Sequence, residues 1–402
     1  MKERILFVVT SKNNMGDLAL CLNWIKDLGR EEYHFGFVFD AEFTKYISEE
    51  DSYYIFEKSK NVKQTILDAV VQFSADAIIF GTNSFWNLPG YTGCKFGQFI
   101  LDEDDVTIPV MSFDPFESGF THIMPQTGSI ISFSAVPDWV YALRYMSIEQ
   151  LSANARHFYS ESIYNKSTLM DPAQTMLKWK SKPGAKTIFY PLSKDRFNSI
   201  EVLYPDYFKY LATIFNELAA DNVQIVTILP RKIQEWQSLS NVTILPAMSY
   251  SEFLSMISYS DLYLTDSYIS CIVDAIQLET PALLLMNSEE TLPSSEISFL
   301  KGKVFPFWVW PYGMRRVCMQ LERLFELKEC YEKVEILNRN AVLHSIRDLL
   351  FNEQKQSELI GSCSKWKNKR KEMLPAPKSV IKNIMDNHFR FVSDKKTLKN
   401  NY

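Results

Sequence analysis

Residues 260–287, SDLYLTDSYISCIVDAIQLETPALLLMN, carry the pattern on which the fold turns. A short apolar run at 262–265 (LYLT) gives way to a polar turn, Asp266-Ser267-Tyr268-Ile269. Helical spacing follows over 270–278, and a second apolar run, 282–286 (ALLLM), starts after Pro281. Strand, turn, helix and strand in this order make one βαβ unit. Runs that are apolar throughout, rather than alternating, belong to strands buried on both faces of a parallel sheet.

The same rhythm extends in both directions. Upstream lie strand-like runs at 187–190 (TIFY), 223–229 (VQIVTIL) and 242–245 (VTIL), separated by helical stretches at 207–220 and 249–257. Downstream of Phe307 the pattern is helical, at 314–327, 334–351 and 379–391, with a basic run at 364–371 (SKWKNKRK). The amino-terminal part repeats the alternation, with strands expected at 4–10, 34–40, 76–81 and 106–113 and helices at 17–28 and 62–73. Residues 136–176 read as helical and polar, and KSKPGAK at 180–186, with Pro183 and Gly184 among lysines, reads as a linker. The expected organisation is α/β, two Rossmann-like doubly wound domains at 1–183 and 184–345. Residues 346–402 are expected as a helical tail, with packing back on the first domain left open.

Bulk composition agrees with this and narrows the function. A chain of 402 residues exceeds what one core usually serves, and 46% apolar with 23% charged residues is ordinary for a globular protein. A net charge of -5 gives no global attraction to nucleic acid or to an anionic bilayer. Six scattered cysteines without a CxxC pair fit free thiols in a reduced compartment. The short apolar run at 5–9 reads as a first strand instead of a signal peptide, and no apolar stretch is long enough to span a bilayer. The expectation is a soluble, cytoplasmic protein with no nucleic-acid partner. No GxGxxG follows a strand, and GxSxG, HExxH and P-loop motifs are absent, so hydride transfer, serine hydrolysis, zinc proteolysis and NTP hydrolysis lack their signatures.

The turn before residue 270 is the strongest candidate site. A helix start presents unpaired N–H groups and the positive end of the helix dipole, which suits a phosphate, and Ser267 and Ser270 add hydroxyls there. Asp274, four residues on, is placed to accept from both hydroxyls of a ribose; the alternatives are a plain helix carboxylate for Asp274 and a plain N-cap for Ser270. This segment resembles the carboxy-terminal half of GT-B glycosyltransferases and of the related UDP-sugar 2-epimerases. Asp274-Ala275 stands at their acidic-Ala position and Thr280-Pro281 at the pair before their next strand. The resemblance implies two domains facing a central cleft, no cofactor, no metal, and a nucleotide diphosphate sugar, a UDP-sugar by expectation, as co-substrate.

Other strand-end loops join this picture. Residues 191–196 (PLSKDR), 230–232 (PRK) and 246–250 (PAMSY) leave carboxyl ends of strands, where open α/β sheets bind ligands. Ser193 would hydrogen-bond a diphosphate, Arg231 and Lys232 would neutralise it, and the Met248 backbone would meet a base; solvated helix-start charges are the alternative for the two cations. In the first domain the loop at 11–17 resembles the family's acceptor side, with Asn13, Asn14 and Gly16 as acceptor-binding candidates. Asp17, Asp114 and His122 are the candidate bases for an acceptor hydroxyl, against a capping role for the aspartates and a loop-histidine role for His122. The acidic run 102–105 (DEDD) reads as a solvated loop instead of a metal site.

The reading that combines these is a metal-independent glycosyltransferase acting on a small-molecule or peptide acceptor. A UDP-sugar 2-epimerase-like enzyme and a non-catalytic GT-B-like binding protein are the alternatives, the second because Asp266-Ser267-Tyr268 stands where the family has a glycine-rich turn. Its partners are the nucleotide sugar and an acceptor, with a homodimer or a partner enzyme left open.

Overall fold

The computed structural model describes residues 2–10, 15–57, 60–81, 99–114, 121–123, 130–132, 136–144, 156–160, 163, 169, 184–192, 197, 206–266, 270–286, 322, 326–336 and 338–399. The chain divides into two compact units. One joins Met1–Ser162 to Met373–Tyr402, and the other is Ile163–Glu372.

The first unit contains β1 (Glu3–Val8), α1 (Met15–Leu28), β2 (Tyr33–Phe39), β3 (Ser52–Ile55), α2 (Val62–Phe73), β4 (Ala77–Phe80) and β5 (Val110–Phe113). There follow β6 (Thr121–Ile123), β7 (Ile130–Ser132), β8 (Tyr141–Arg144), β9 (His157–Tyr159) and, from the far end of the chain, α9 (Pro377–Lys399). Seven strands form a sheet in the order β3-β2-β1-β4-β5-β8-β9, each parallel to its neighbours, while β6 and β7 make a small antiparallel pair. The period-2 geometry of β1 sorts its buried side chains between two layers. Ile5, Phe7 and Val9 pack with Leu18, Cys21, Trp24 and Ile25 of α1 and with Val380, Ile381 and Ile384 of α9. Leu6 and Val8 pack instead with Val62, Ile66, Ala69 and Phe73 of α2. Helices thus cover both faces, which is why the strand reads as uninterrupted apolar sequence. The start of α2 is fixed by Asn61, whose side chain accepts from the Gln64 amide, and its end by Ser74 at a φ of 54°.

The second unit runs β10 (Lys186–Phe189), α3 (Asp206–Leu218), β11 (Val223–Ile228), α4 (Gln234–Gln237), β12 (Val242–Leu245) and α5 (Tyr250–Tyr259). It continues with β13 (Leu262–Thr265), α6 (Ser270–Gln277), β14 (Ala282–Met286), β15 (Glu332–Glu335), α7 (Arg339–Phe351) and α8 (Glu353–Met373). Its six strands lie in the order β12-β11-β10-β13-β14-β15, again parallel throughout. Ile188, Ile225, Leu264 and Leu285 face α3 and α7 through Leu211, Phe215, Ile346 and Leu349. On the opposite face Phe189 meets Phe253 of α5 edge-on, with ring centroids 5.5 Å apart. Both units are therefore doubly wound α/β layers, and helices close the chain.

Several local expectations are corrected. The stretch 136–176 contains β8 and β9 where helix was expected, and β15 occupies 332–335 ahead of a helix that starts at Arg339, not at Val334. The edge strand β3 had no counterpart in the sequence reading. Of the helix expected at 314–327, all but a few residues lie outside the described ones.

Candidate functional site

Each sheet has its carboxyl edge at a point where strand order reverses, the position at which open α/β sheets take ligands. In the second unit the chain passes from β10 outward to β11 and β12, then returns to β13 on the other side of β10. Two tyrosine–carboxylate pairs stand at this edge. Tyr190, directly after β10, donates from its phenol to Asp266 Oδ2 at 2.7 Å, and Asp266 directly follows β13. The hydrogen bond therefore bridges the two strands that meet at the reversal. Burial, then the neighbouring Asp266 carboxylate, pushes the Tyr190 phenol well above its ordinary range, so it keeps the proton that it donates to Asp266.

The second pair lies on the α5–α6 side. Tyr250 opens α5 and donates to Asp274 Oδ1 at 3.2 Å. Asp274 sits in α6 with 4% of its surface exposed, a burial uncommon for a carboxylate without hydrogen-bond partners. The neighbouring helix start is set by a capping box: Ser249 accepts from the Glu252 amide, and Glu252 accepts from the Ser249 amide at 2.9 Å. Met248 is half-buried just before it. Arg231 and Lys232 are exposed beyond β11, the Arg231 guanidinium lying over the Phe197 ring at 5.6 Å. Ser270 is the first residue of α6, whereas Ser193 and Ser267 lie outside the described residues.

The first unit has an equivalent edge. Its order reverses between β1 and β4, and Asp17, in the first turn of α1, lies there at 3% exposure. A methyl group built on Gly81, just after β4, would stand 3.1 Å from Asp17 Cβ and 3.6 Å from the Val8 carbonyl oxygen. Glycine is thus the residue that lets Asp17 settle over the sheet edge. Burial, then the Asp17 charge, pushes the Cys21 thiol one turn further along α1 well up. Thr10 is also buried, two residues beyond β1, its hydroxyl oxygen lacking a hydrogen-bond partner among the described residues.

Asp114 follows β5 and accepts on Oδ2 from Nε of Arg144, at 2.9 Å, with a second guanidinium nitrogen at the same distance. Both side chains are at most 5% exposed, so this is a buried, charge-assisted pair that locks β5 to β8. His122 is part of β6, opposite Ile131, and not of a loop. Gly16 is the second residue of α1, and Asn13 and Asn14 lie outside the described residues. The acidic run at 102–105 is drawn onto one lysine: Lys63 Nζ lies 2.7 Å from Asp102 and 2.6 Å from Asp105. Among the described residues no group of His, Cys, Asp and Glu is arranged to hold a metal ion, and no helix is long and apolar enough to cross a membrane.

The structure adds Tyr190, Asp266, Tyr250, Thr10, Gly81 and Arg144 to the edges named from sequence. Tyr250 and Asp266 stood in the right loops, but the bonds they make join positions 24 and 76 residues apart, which no local pattern signals.

Residues 175–388, more than half of the chain, match the model of a family described as a family of unknown function (DUF6365). The chain belongs to this DUF6365 family. No curated protein matches the sequence. Solved structures do share the fold of this DUF6365 protein. The spinosyn forosaminyltransferase SpnP is 8% identical with a TM-score of 0.58, over 96% of this chain and 99% of that one. UGT89C1 of Arabidopsis thaliana, solved with quercetin, is 9% identical with a TM-score of 0.58 over 96% of this chain and 99% of its own. The UDP-GlcNAc 2-epimerase of Neisseria meningitidis, bound to UDP-GlcNAc, is 12% identical with a TM-score of 0.52, covering 91% and 99%. At such identities the likeness is one of fold, and that fold is GT-B: two Rossmann-like units with helices closing the chain.

Proposed function

We propose that the protein transfers a sugar from a nucleotide diphosphate donor, a UDP-sugar by expectation, to a small-molecule or peptide acceptor without a metal. One observation carries the reading. A carboxylate, Asp274, is buried one turn into a helix that opens at the carboxyl edge of a parallel sheet, next to its reversal point. That placement suits a ribose, and the start of the same helix suits the diphosphate. In this proposal Ser193, Ser267, Ser270, Arg231 and Lys232 surround the diphosphate, and the Met248 backbone meets the base.

The acceptor hydroxyl oxygen attacks the anomeric carbon as the bond to the diphosphate oxygen breaks, and the hydroxyl proton passes to a base. Asp17 is preferred for that role over Asp114, one of whose oxygens is taken by Arg144. Asn13, Asn14 and Gly16 would frame the acceptor. Helix amides and basic side chains balance the charge that develops on the leaving diphosphate.

The test is thermal stabilisation of the full chain by millimolar UDP, TDP, GDP or CDP. A rise in melting temperature with one of them, lost in Asp274→Ala, is the expected result. No shift with any of the four removes the donor site from the proposal.

The Asp114–Arg144 pair favours a second reading, a GT-B-like binding protein without catalysis, because it engages one of the candidate bases in holding the fold. Nucleotide-sugar binding with no sugar release across an acceptor panel would select this reading over the first.

A further inference from the structure

We propose that Tyr250 is a positioning residue, which sets the plane of the Asp274 carboxylate to grip the ribose of a nucleoside diphosphate. The proposal rests on the donor reading above and adds to it the part that makes a buried carboxylate selective.

A carboxylate accepts well from two vicinal hydroxyls when each of its oxygens faces one of them. Rotation about the Asp Cβ–Cγ bond is broad, so the side chain alone does not choose that orientation. The phenol of Tyr250 does so by donating to Oδ1 at 3.2 Å from a different helix.

Tyr250 is itself fixed from several sides. The Ser249–Glu252 capping box defines the first turn of α5 and hence the direction in which its first residue leaves the backbone. The Tyr250 ring stacks on Phe253 with centroids 6.2 Å apart and planes 17° from parallel. Phe253 in turn stands edge-on to Phe189, a wholly buried residue of β10. The phenol oxygen is therefore referenced to the central strand of the sheet through two ring contacts. Preorganisation of this kind lets a polar group bind without first being ordered.

Phenylalanine at 250 keeps the ring stack and the helix start and removes only the hydroxyl. The experiment is calorimetric titration of the full chain, wild type and variants, with UDP and with 2′-deoxy-UDP, which lacks one of the two ribose hydroxyls. The wild type should prefer UDP. Tyr250→Phe should weaken UDP binding about fivefold to tenfold, the range of one hydrogen bond, and leave 2′-deoxy-UDP nearly unchanged, so that the preference collapses. Asp274→Ala should abolish the preference, and the double variant should bind UDP no worse than Asp274→Ala alone. A purely structural tyrosine would lower the melting temperature without altering the ratio of the two affinities.

Tyr250→Phe with the preference intact, alongside Asp274→Ala without it, would overturn the role of Tyr250 and leave the donor site standing. A wild type that binds neither compound would remove both.

Discussion

At the scale of single residues, the two sheet edges are built from buried polar groups whose partners come from other elements. Asp266 with Tyr190, Asp274 with Tyr250, and Asp114 with Arg144 each place a carboxylate where water is largely excluded, and each draws its donor from a separate element. Such groups are costly unless paired, which makes each pair a fixed point of the edge it occupies. Asp17 also depends on the room left beside it by Gly81, which has no side chain. Gly81→Ala would put a methyl 3.1 Å from Asp17 Cβ, a contact that forces the helix turn outward by a few tenths of an ångström. We expect a loss of stability of about 1 kcal/mol, measured by urea unfolding, since small overpacking changes cost in this range. Because Asp274 belongs to the other unit, UDP affinity of the same variant should be unaltered; a parallel loss of UDP affinity would mean that the variant disturbs more than Asp17.

Elements were legible in the sequence to the degree that their own residues decided them. The bounds of β13 and β14 coincide with the runs LYLT and ALLLM, because strands covered on both faces are apolar almost throughout, and those of the half-buried edge strand β12 coincide with VTIL, whose β-branched residues suit a strand. By the same logic β8 was missed. Its YALR carries an arginine that reads as solvent-facing, and Arg144 is buried only because Asp114, thirty residues earlier, waits on the adjacent strand. The edge strand β15, EKVE, alternates charge with one buried valine and cannot be told from a helix turn by pattern alone. In the candidate site, Asp274 could be named because a helix after a strand is a local pattern, whereas its tethering by Tyr250 could not.

The helix α9 carries the clearest pH dependence. His388 accepts or donates at Nδ1 with the Tyr141 hydroxyl, at 3.1 Å, and at Nε2 with the Thr107 carbonyl oxygen, also at 3.1 Å. A carbonyl only accepts, so Nε2 carries a proton; burial favours the neutral ring, in which Nδ1 accepts from the phenol. Burial holds its pKa below the ordinary 6.5 against the raising effect of the Thr107 carbonyl, and the nearby Arg156 adds a smaller lowering. The unfolded chain therefore takes up a proton first as pH falls. The contribution of His388 is present above about pH 6.5 and is lost below it, at most about 1.4 kcal/mol per pH unit while only the unfolded state is protonated. Unfolding free energies measured at pH 7.5 and 5.5 should fall more steeply with acid in the wild type than in His388→Gln. Equal slopes would show that other groups set the acid limit.

At the scale of the whole molecule, the chain leaves its first unit at Ser162 and returns to it at Met373, so the first core is completed by a segment that follows the whole second unit in sequence. Val380, Ile381 and Ile384 of α9 are all at most 4% exposed and pack against the α1 side of the first sheet. Burying three such side chains is worth about 5–9 kcal/mol, as much as the whole stability of many domains. Polar ties add to this, among them Ser160 donating to the Pro375 carbonyl oxygen at 2.8 Å and the ion pair of Lys378 with Glu32. The second unit, by contrast, is continuous from Ile163 to Glu372 and has its own core of β10, β11, β13 and β14 with α3 and α7. A fragment of residues 163–372 should accordingly show a cooperative thermal transition by circular dichroism. A fragment of residues 1–162 should lack one until a peptide of residues 373–402 is added, whereupon protease resistance of the amino-terminal fragment should rise with peptide concentration. Cooperative folding of 1–162 alone would mean that α9 is an ornament on a finished core, and the stability assigned to its three apolar residues would have to come from elsewhere in the first sheet.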